Sequence, residues 1–113
     1  VSDEGQNIER IRERVRLDNY LIKSQAVTHA LKEGFDRRHM VEAVLNGKII
    51  EDYPDEQRVL ICGQATLTES IQIYLHVICE YADPVYTEFV TAYLPDESQW
   101  QNPPFRRRRR TKK

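Results

Sequence analysis

Apolar positions follow two different periods along this chain, and the change from one to the other falls near Gly47. Between Asn7 and Leu17, Ile8, Ile11 and Val15 recur at helical spacing, while Arg10, Arg12, Arg14 and Arg16 fall mostly on other faces. This predicts a short helix whose thin apolar stripe needs cover, either from the domain itself or from another chain. Tyr20-Leu21-Ile22 reads as a short strand or an extended link. Ser24 suits an N-cap, Ala26, Val27, Ala30 and Leu31 form the apolar face of a second helix, and Gly34 ends it. Asp36 caps a third helix, with Met40, Val41, Val44 and Leu45 facing inward and Gly47 as its stop. The short link between these two helices predicts an αα-hairpin.

From Lys48 the period becomes two. Ile49 and Ile50 lead into the acidic turn Glu51-Asp52-Tyr53-Pro54-Asp55. Strands are expected over Arg58 to Ala65, Ile71 to Tyr81 and Val85 to Leu94, joined by short polar connections, and Pro95 ends the last. Such connections favour an antiparallel meander. Helices and strands are segregated along the chain. The expected fold is therefore α+β, with helices packed on one face of a small antiparallel sheet of three or four strands, plus an extra N-terminal helix. Trp100 is expected to dock an irregular segment on the body, and Pro103-Pro104 to stiffen the exit before the arginine run. The organisation read from this pattern is an N-terminal helical extension over 1–19, an α+β domain over 20–102 and a basic tail over 103–113.

At 113 residues and 40% hydrophobic positions, the chain can build one modest core. No apolar run approaches the roughly 18 residues of a membrane span, and the polar, acidic start from Val1 to Gln6 does not read as a secretory signal. These features point away from the membrane and toward the cytoplasm. Cys62 and Cys79 are too few for a disulfide framework and read as buried free thiols, which could lie near each other on adjacent strands. Neither a zinc spacing nor a calcium-loop pattern is present, so no metal or cofactor is expected; Glu51, Asp52, Asp55 and Glu56 read as an exposed acidic turn.

The formal net charge of −1 conceals an asymmetry. Seven basic residues, Arg106, Arg107, Arg108, Arg109, Arg110, Lys112 and Lys113, come after Phe105; without them 10 basic residues face 18 acidic ones, so the body carries −8. Adjacent arginines repel one another and do not pack alone. They can grip phosphates bidentately or stack on bases. The tail is read as a nucleic-acid or partner-binding arm, against a lipid-headgroup contact or a solvated terminus. With Phe105 as its lone aromatic, base-specific readout is not expected.

Several stretches carry a resemblance to a known family. Thr28-His29-Ala30-Leu31 with Gly34-Phe35, the run Asn46-Gly47-Lys48-Ile49-Ile50-Glu51-Asp52-Tyr53-Pro54, Arg58-Val59-Leu60-Ile61-Cys62-Gly63, Leu75-His76-Val77-Ile78, and Val90-Thr91-Ala92-Tyr93-Leu94-Pro95 with Trp100 after it occur in order. Over roughly Tyr20 to Trp100 the chain resembles a widespread bacterial domain of unknown function, with the first helix and the arginine tail outside the match. The resemblance implies the small α+β fold of the RelE and BrnT toxins, a neighbouring antitoxin-like protein as partner, and metal-independent RNA cleavage. His29 matches the family's His-Ala pair and His76 the histidine of its strand. An arginine often found before the helix-ending glycine is absent, and Glu33 stands there.

Metal-free RNA cleavage needs a base for the 2′-hydroxyl, an acid for the leaving oxygen and cations for the phosphorane. The candidates are His76 and His29 as acid–base pair, Arg58 for phosphate charge, with Lys48 as a further cation, and Tyr93 as a proton donor or stacking ring. Each has a structural counterpart reading: a tied-in strand histidine, a helix histidine bonding to the sheet, solvated cations, a sheet aromatic. His39, in Arg37-Arg38-His39, reads as part of a solvated first helical turn. The leading expectation is a RelE/BrnT-like toxin-family protein acting as a metal-independent endoribonuclease in a toxin–antitoxin-like system. The acidic body repels RNA and sustains an alternative: a non-catalytic subunit or adaptor docking to a larger assembly or nucleic acid through its N-terminal helix and arginine tail.

Overall fold

The computed structural model describes residues 3–109. Among the described residues, three helices and five strands form one body: α1 (Asp3–Arg16), β1 (Tyr20–Ile22), α2 (Ser24–Glu33), α3 (Arg37–Asn46), β2 (Lys48–Tyr53), β3 (Arg58–Thr68), β4 (Ile71–Glu80) and β5 (Thr87–Tyr93), with a short 3-10 turn over Pro54–Glu56. The sheet order is β1-β5-β4-β3-β2. The α+β class and the antiparallel run from β2 to β5 match the alternating pattern. The strand count and the purely antiparallel sheet do not. Tyr20–Ile22 joins the edge beside β5 in parallel, making a mixed sheet of five strands. Three residues carry too little period to distinguish a strand from a link; pairing with β5 decides it.

Helix boundaries follow local chemistry. Asp36 caps α3: its carboxylate accepts from the Arg38 N–H at 2.9 Å, while the Asp36 N–H donates to His39 Nδ1 at 2.9 Å. His39 is thus a capping residue. The α2 start differs from expectation, since Ser24 is its first helical residue and Lys23 occupies the cap position without a side-chain bond. Gly34 closes α2 with φ +85°, and the Gly34 and Phe35 N–H groups both return to the Ala30 carbonyl.

The helices cover one face of the sheet. Ile11 and Val15 of α1, Met40, Ala43 and Val44 of α3, and Val59, Ile61, Leu75, Val77, Cys79 and Phe89 of the sheet form one buried cluster. Burying side chains such as Ile11 and Val15 is worth about 1.5–3 kcal/mol each, so the stripe on the first helix finds its cover within the chain. Arg14 reinforces this, donating to the Pro84 and Tyr86 carbonyls at 2.8 and 3.1 Å. Helix α2 runs along the part of β5 that β1 leaves unpaired: the Gln25 amide donates to the Val90 carbonyl at 3.2 Å, and Glu33 accepts from the Leu94 N–H at 2.8 Å. Glu33 thus terminates the sheet edge.

The opposite face carries a second set of side chains, because strand side chains alternate. Cys62 pairs with His76 and Val59 with Cys79. Cys62 therefore belongs to this outer face and Cys79 to the helix face; both are buried and free, on opposite sides of the sheet. Among the described residues, no helix is long and apolar enough to cross a membrane.

Candidate functional site

On the outer face His76 of β4 and Tyr93 of β5 sit directly opposite each other. Glu51 and Tyr53 join them from β2, and a β-bulge makes this possible. The register slips between Ile49 and Glu51, so Glu51 lies opposite Leu60 on the outer face instead of continuing the simple alternation. The side chains of Lys48, Glu51 and Tyr53 thereby line the same side of the sheet.

This surface is covered by the chain itself. Trp100 is buried and meets the His76 ring edge-on, with ring centroids 4.4 Å apart. Phe105 stands edge-on to Tyr74 at 5.5 Å and beneath the Lys48 ammonium at 4.2 Å. The Gln101 N–H donates to the Arg106 carbonyl and the Arg108 N–H to the Gln99 carbonyl, so the chain folds back on itself around Pro103 and Pro104. Arg107 then reaches Glu51 with two bonds, Nε to Oε2 at 2.7 Å and Nη2 to Oε1 at 3.0 Å, and lies over the Trp100 ring at 4.6 Å. Tyr53 donates its hydroxyl to the same carboxylate. The expected docking by Trp100 is therefore present, and the segment it anchors extends into the arginine run.

The electrostatics fix the state of each group. The Arg107 guanidinium holds the Glu51 carboxyl below its ordinary range, assisted by the Tyr53 hydroxyl, and Glu51 raises Arg107 in return. Burial lowers the His76 pKa below 6.5, outweighing its hydrogen bond to Pro104. His76 is fully buried, with Nε2 2.8 Å from the Pro104 carbonyl and Nδ1 3.3 Å from the Tyr93 hydroxyl. A carbonyl oxygen can only accept, so Nε2 carries the hydrogen. The neutral ring then accepts at Nδ1 from Tyr93, whose own pKa burial pushes up to about 12. Both ring nitrogens are thus engaged within the chain, Nε2 on the covering segment and Nδ1 on β5.

The other sequence candidates lie elsewhere. His29 is half-exposed on α2, 3.3 Å from Glu33, and does not meet His76. Arg58 shares the outer face but pairs with Glu80 at 3.0 Å; from the His76 rung to the Glu80 rung is four residues, about 13 Å of strand. Lys48 lies on the near side, engaged with Phe105. Arg106, Arg108 and Arg109 are exposed, and Arg108 Nε also donates to the Glu97 carbonyl. Arg110, Lys112 and Lys113 lie outside the described residues. Sequence reasoning missed Glu51 and Tyr53 as site residues; the signal was in the Ile49-Ile50 pair, where two successive apolar residues interrupt an alternating strand. No group of three or more His, Cys, Asp or Glu side chains among the described residues is arranged to hold a metal ion.

This sheet, its three helices and the ordered motifs along them are matched by one family model over residues 8–94. The chain belongs to the family described as domain of unknown function DUF4258. The DUF4258 match begins at Ile8 and so takes in most of α1, which the resemblance over Tyr20 to Trp100 leaves outside; it ends at Leu94, before the covering segment. Neither the curated proteins nor the solved structures contain a match.

Proposed function

We propose that this chain is a non-catalytic subunit that binds the phosphate backbone of single-stranded RNA through the arginine stretch its own sheet holds in place. The observation that carries this reading is the commitment of His76: fully buried, neutral, with both nitrogens bonded within the chain. A histidine so placed has no lone pair or proton to offer a substrate. What it does is anchor residues 100–107, together with the Glu51–Arg107 pair, so that the exposed Arg106, Arg108 and Arg109 are presented from a fixed platform. Exposed guanidiniums suit phosphate contacts without base readout. The family's expected RelE/BrnT-like fold and toxin–antitoxin-like setting fit such a role, as do a bacterial cytoplasm and its reducing conditions for two buried thiols.

A second reading, metal-independent endoribonuclease, is favoured by one specific feature: an ionised carboxylate, a guanidinium, two phenols and an imidazole converge on one sheet face. With residues 100–105 lifted and Arg107 still beside Glu51, Glu51 would serve as base, Arg107 would meet the phosphate, and His76 would be released to act as acid.

One experiment separates them. Labelled single-stranded RNA is titrated with the full chain across a salt series by fluorescence anisotropy, and the same mixtures are run on a denaturing gel. The binding reading expects intact RNA and a log–log salt slope that falls by about 0.7 for each phosphate contact removed when Arg106, Arg108 and Arg109 are changed to alanine. An unchanged slope, or no binding at low salt, refutes it. RNA cleavage that Glu51→Gln or His76→Ala lowers by about 100- to 10,000-fold would install the catalytic reading instead.

A further inference from the structure

The far edge of the sheet carries a surface independent of the His76 cluster. Strand β1 is an edge strand, bonded to β5 on one side. The Asn19 carbonyl accepts from the Thr87 N–H at 3.2 Å, and the Lys23 N–H donates to the Phe89 carbonyl at 3.0 Å. In a parallel ladder the inward-bonding residues alternate, so the main-chain groups of Tyr20 and Ile22 point away from β5, toward the outside of the sheet. Beside this open edge is a groove of about 690 Å³ between β1, α2 and the start of α3. All three β1 residues line it, so the groove runs along the strand edge. Its apolar walls include Leu21, Val27 and Leu31, which are 55, 42 and 70% exposed. Its rim holds Arg37, which donates to the Tyr20 hydroxyl at 3.1 Å, and Arg38, paired with Asp36. Among the residues that line the groove two arginines stand against one aspartate, on a body whose charge without the last seven basic residues is −8.

We infer that an extended acidic–apolar segment of another protein adds to β1 as a sixth strand, its alternate apolar side chains entering the α2–α3 groove and its carboxylates meeting Arg37 and Arg38. Strand addition uses main-chain bonds for affinity and side-chain pockets for selectivity, and both are present side by side. An edge this short, about half a typical strand, gains little from pairing alone, so the groove must supply the remainder. Charge selects the occupant. A second copy of the chain would bring the same arginines to the rim, whereas an acidic segment is attracted by it. Nothing in this inference depends on how RNA is handled at the opposite end of the sheet.

The test is selection of random linear peptides, displayed in excess, against the full chain. The expected enrichment is for sequences alternating apolar and acidic residues. A selected peptide, added to the full chain, should slow hydrogen exchange at the Tyr20 and Ile22 amides. Leu31→Glu and Arg37→Glu, both exposed substitutions, should each weaken it by about tenfold, equivalent to about 1.4 kcal/mol, with the melting temperature unchanged. Enrichment of basic or helix-spaced peptides, binding that leaves the Tyr20 and Ile22 amides unprotected, equal binding to both variants, or no enrichment at all would overturn the inference. So would protection of the same two amides on simply raising the concentration of the free chain, which would identify a second copy as the occupant.

Discussion

Acidification should weaken the hold on the covering segment through His76. The imidazole is fully buried, its hydrogen is directed at the Pro104 carbonyl, and burial keeps its pKa below the ordinary 6.5. Between pH 6.5 and that lowered value, the unfolded chain binds a proton that the native chain does not. Stability therefore rises with pH across this window and falls as pH drops. One group contributes a slope of at most about 1.4 kcal/mol per pH unit, so from pH 6.5 to about pH 5 the share due to His76 is at most about 2 kcal/mol. Glu51 acts lower. Arg107 depresses its pKa below 4.5, so its contribution is present above 4.5 and is lost as pH falls through the depressed value. The interval above about pH 5 separates the two groups. The assay is urea unfolding at a series of pH values, read by the fluorescence of Trp100, the chain's one tryptophan, whose ring lies edge-on to His76. Wild type should show a positive slope of stability with pH that His76→Asn flattens by up to about 1.4 kcal/mol per unit. His29 and His39 are present in both proteins, so the difference isolates His76. Parallel plots for the two proteins would refute the reasoning, since a ring already solvated and free to titrate would give no such difference.

Two further outcomes test the packing. A Cβ on Gly63 would overlap the Ala43 carbonyl oxygen, so Gly63→Ala must push α3 off the sheet; a loss of about 1–3 kcal/mol is expected, and an unchanged thermal midpoint would show that the helix does not pass so close. Cys62 and Cys79 are both buried, and burial pushes the Cys62 thiol up to about 12; a thiol reagent at neutral pH should leave the native chain unlabelled while modifying both residues in urea, and prompt labelling of either in the native protein would contradict their placement.

Much of this architecture was legible in order along the chain, because it depends on local period and local punctuation. The shift from helical to alternating spacing at Gly47 separates helices from strands. Asp36 and Gly34 mark helix ends through bonds made within a few residues, and the stripe of Ile8, Ile11 and Val15 announced a helix that needed cover. What covers it is a long-range matter, and so is the fate of Tyr20–Ile22, which becomes a strand because β5 offers it an edge. The candidate site shows the same division. That Tyr93 lies opposite His76 is set by the β4–β5 register, but His76 could be assigned to one face of its own strand by alternation. Glu51 could not: one extra residue at Ile50 reverses its side, and the bulge is stable because Glu51 then finds Arg107, a residue 56 positions away. Arg58 is diverted to Glu80, and His29 rides on α2 at the sheet edge, away from the His76 cluster. Charge alone marked Arg106 to Lys113 as a nucleic-acid or partner-binding arm; the structure takes Arg107 out of it because Trp100, Pro104 and Glu51 converge there. Periods and caps are written in neighbouring residues. Which side chains meet across a sheet depends on bulges, edges and returns whose energies arise only when distant segments come together.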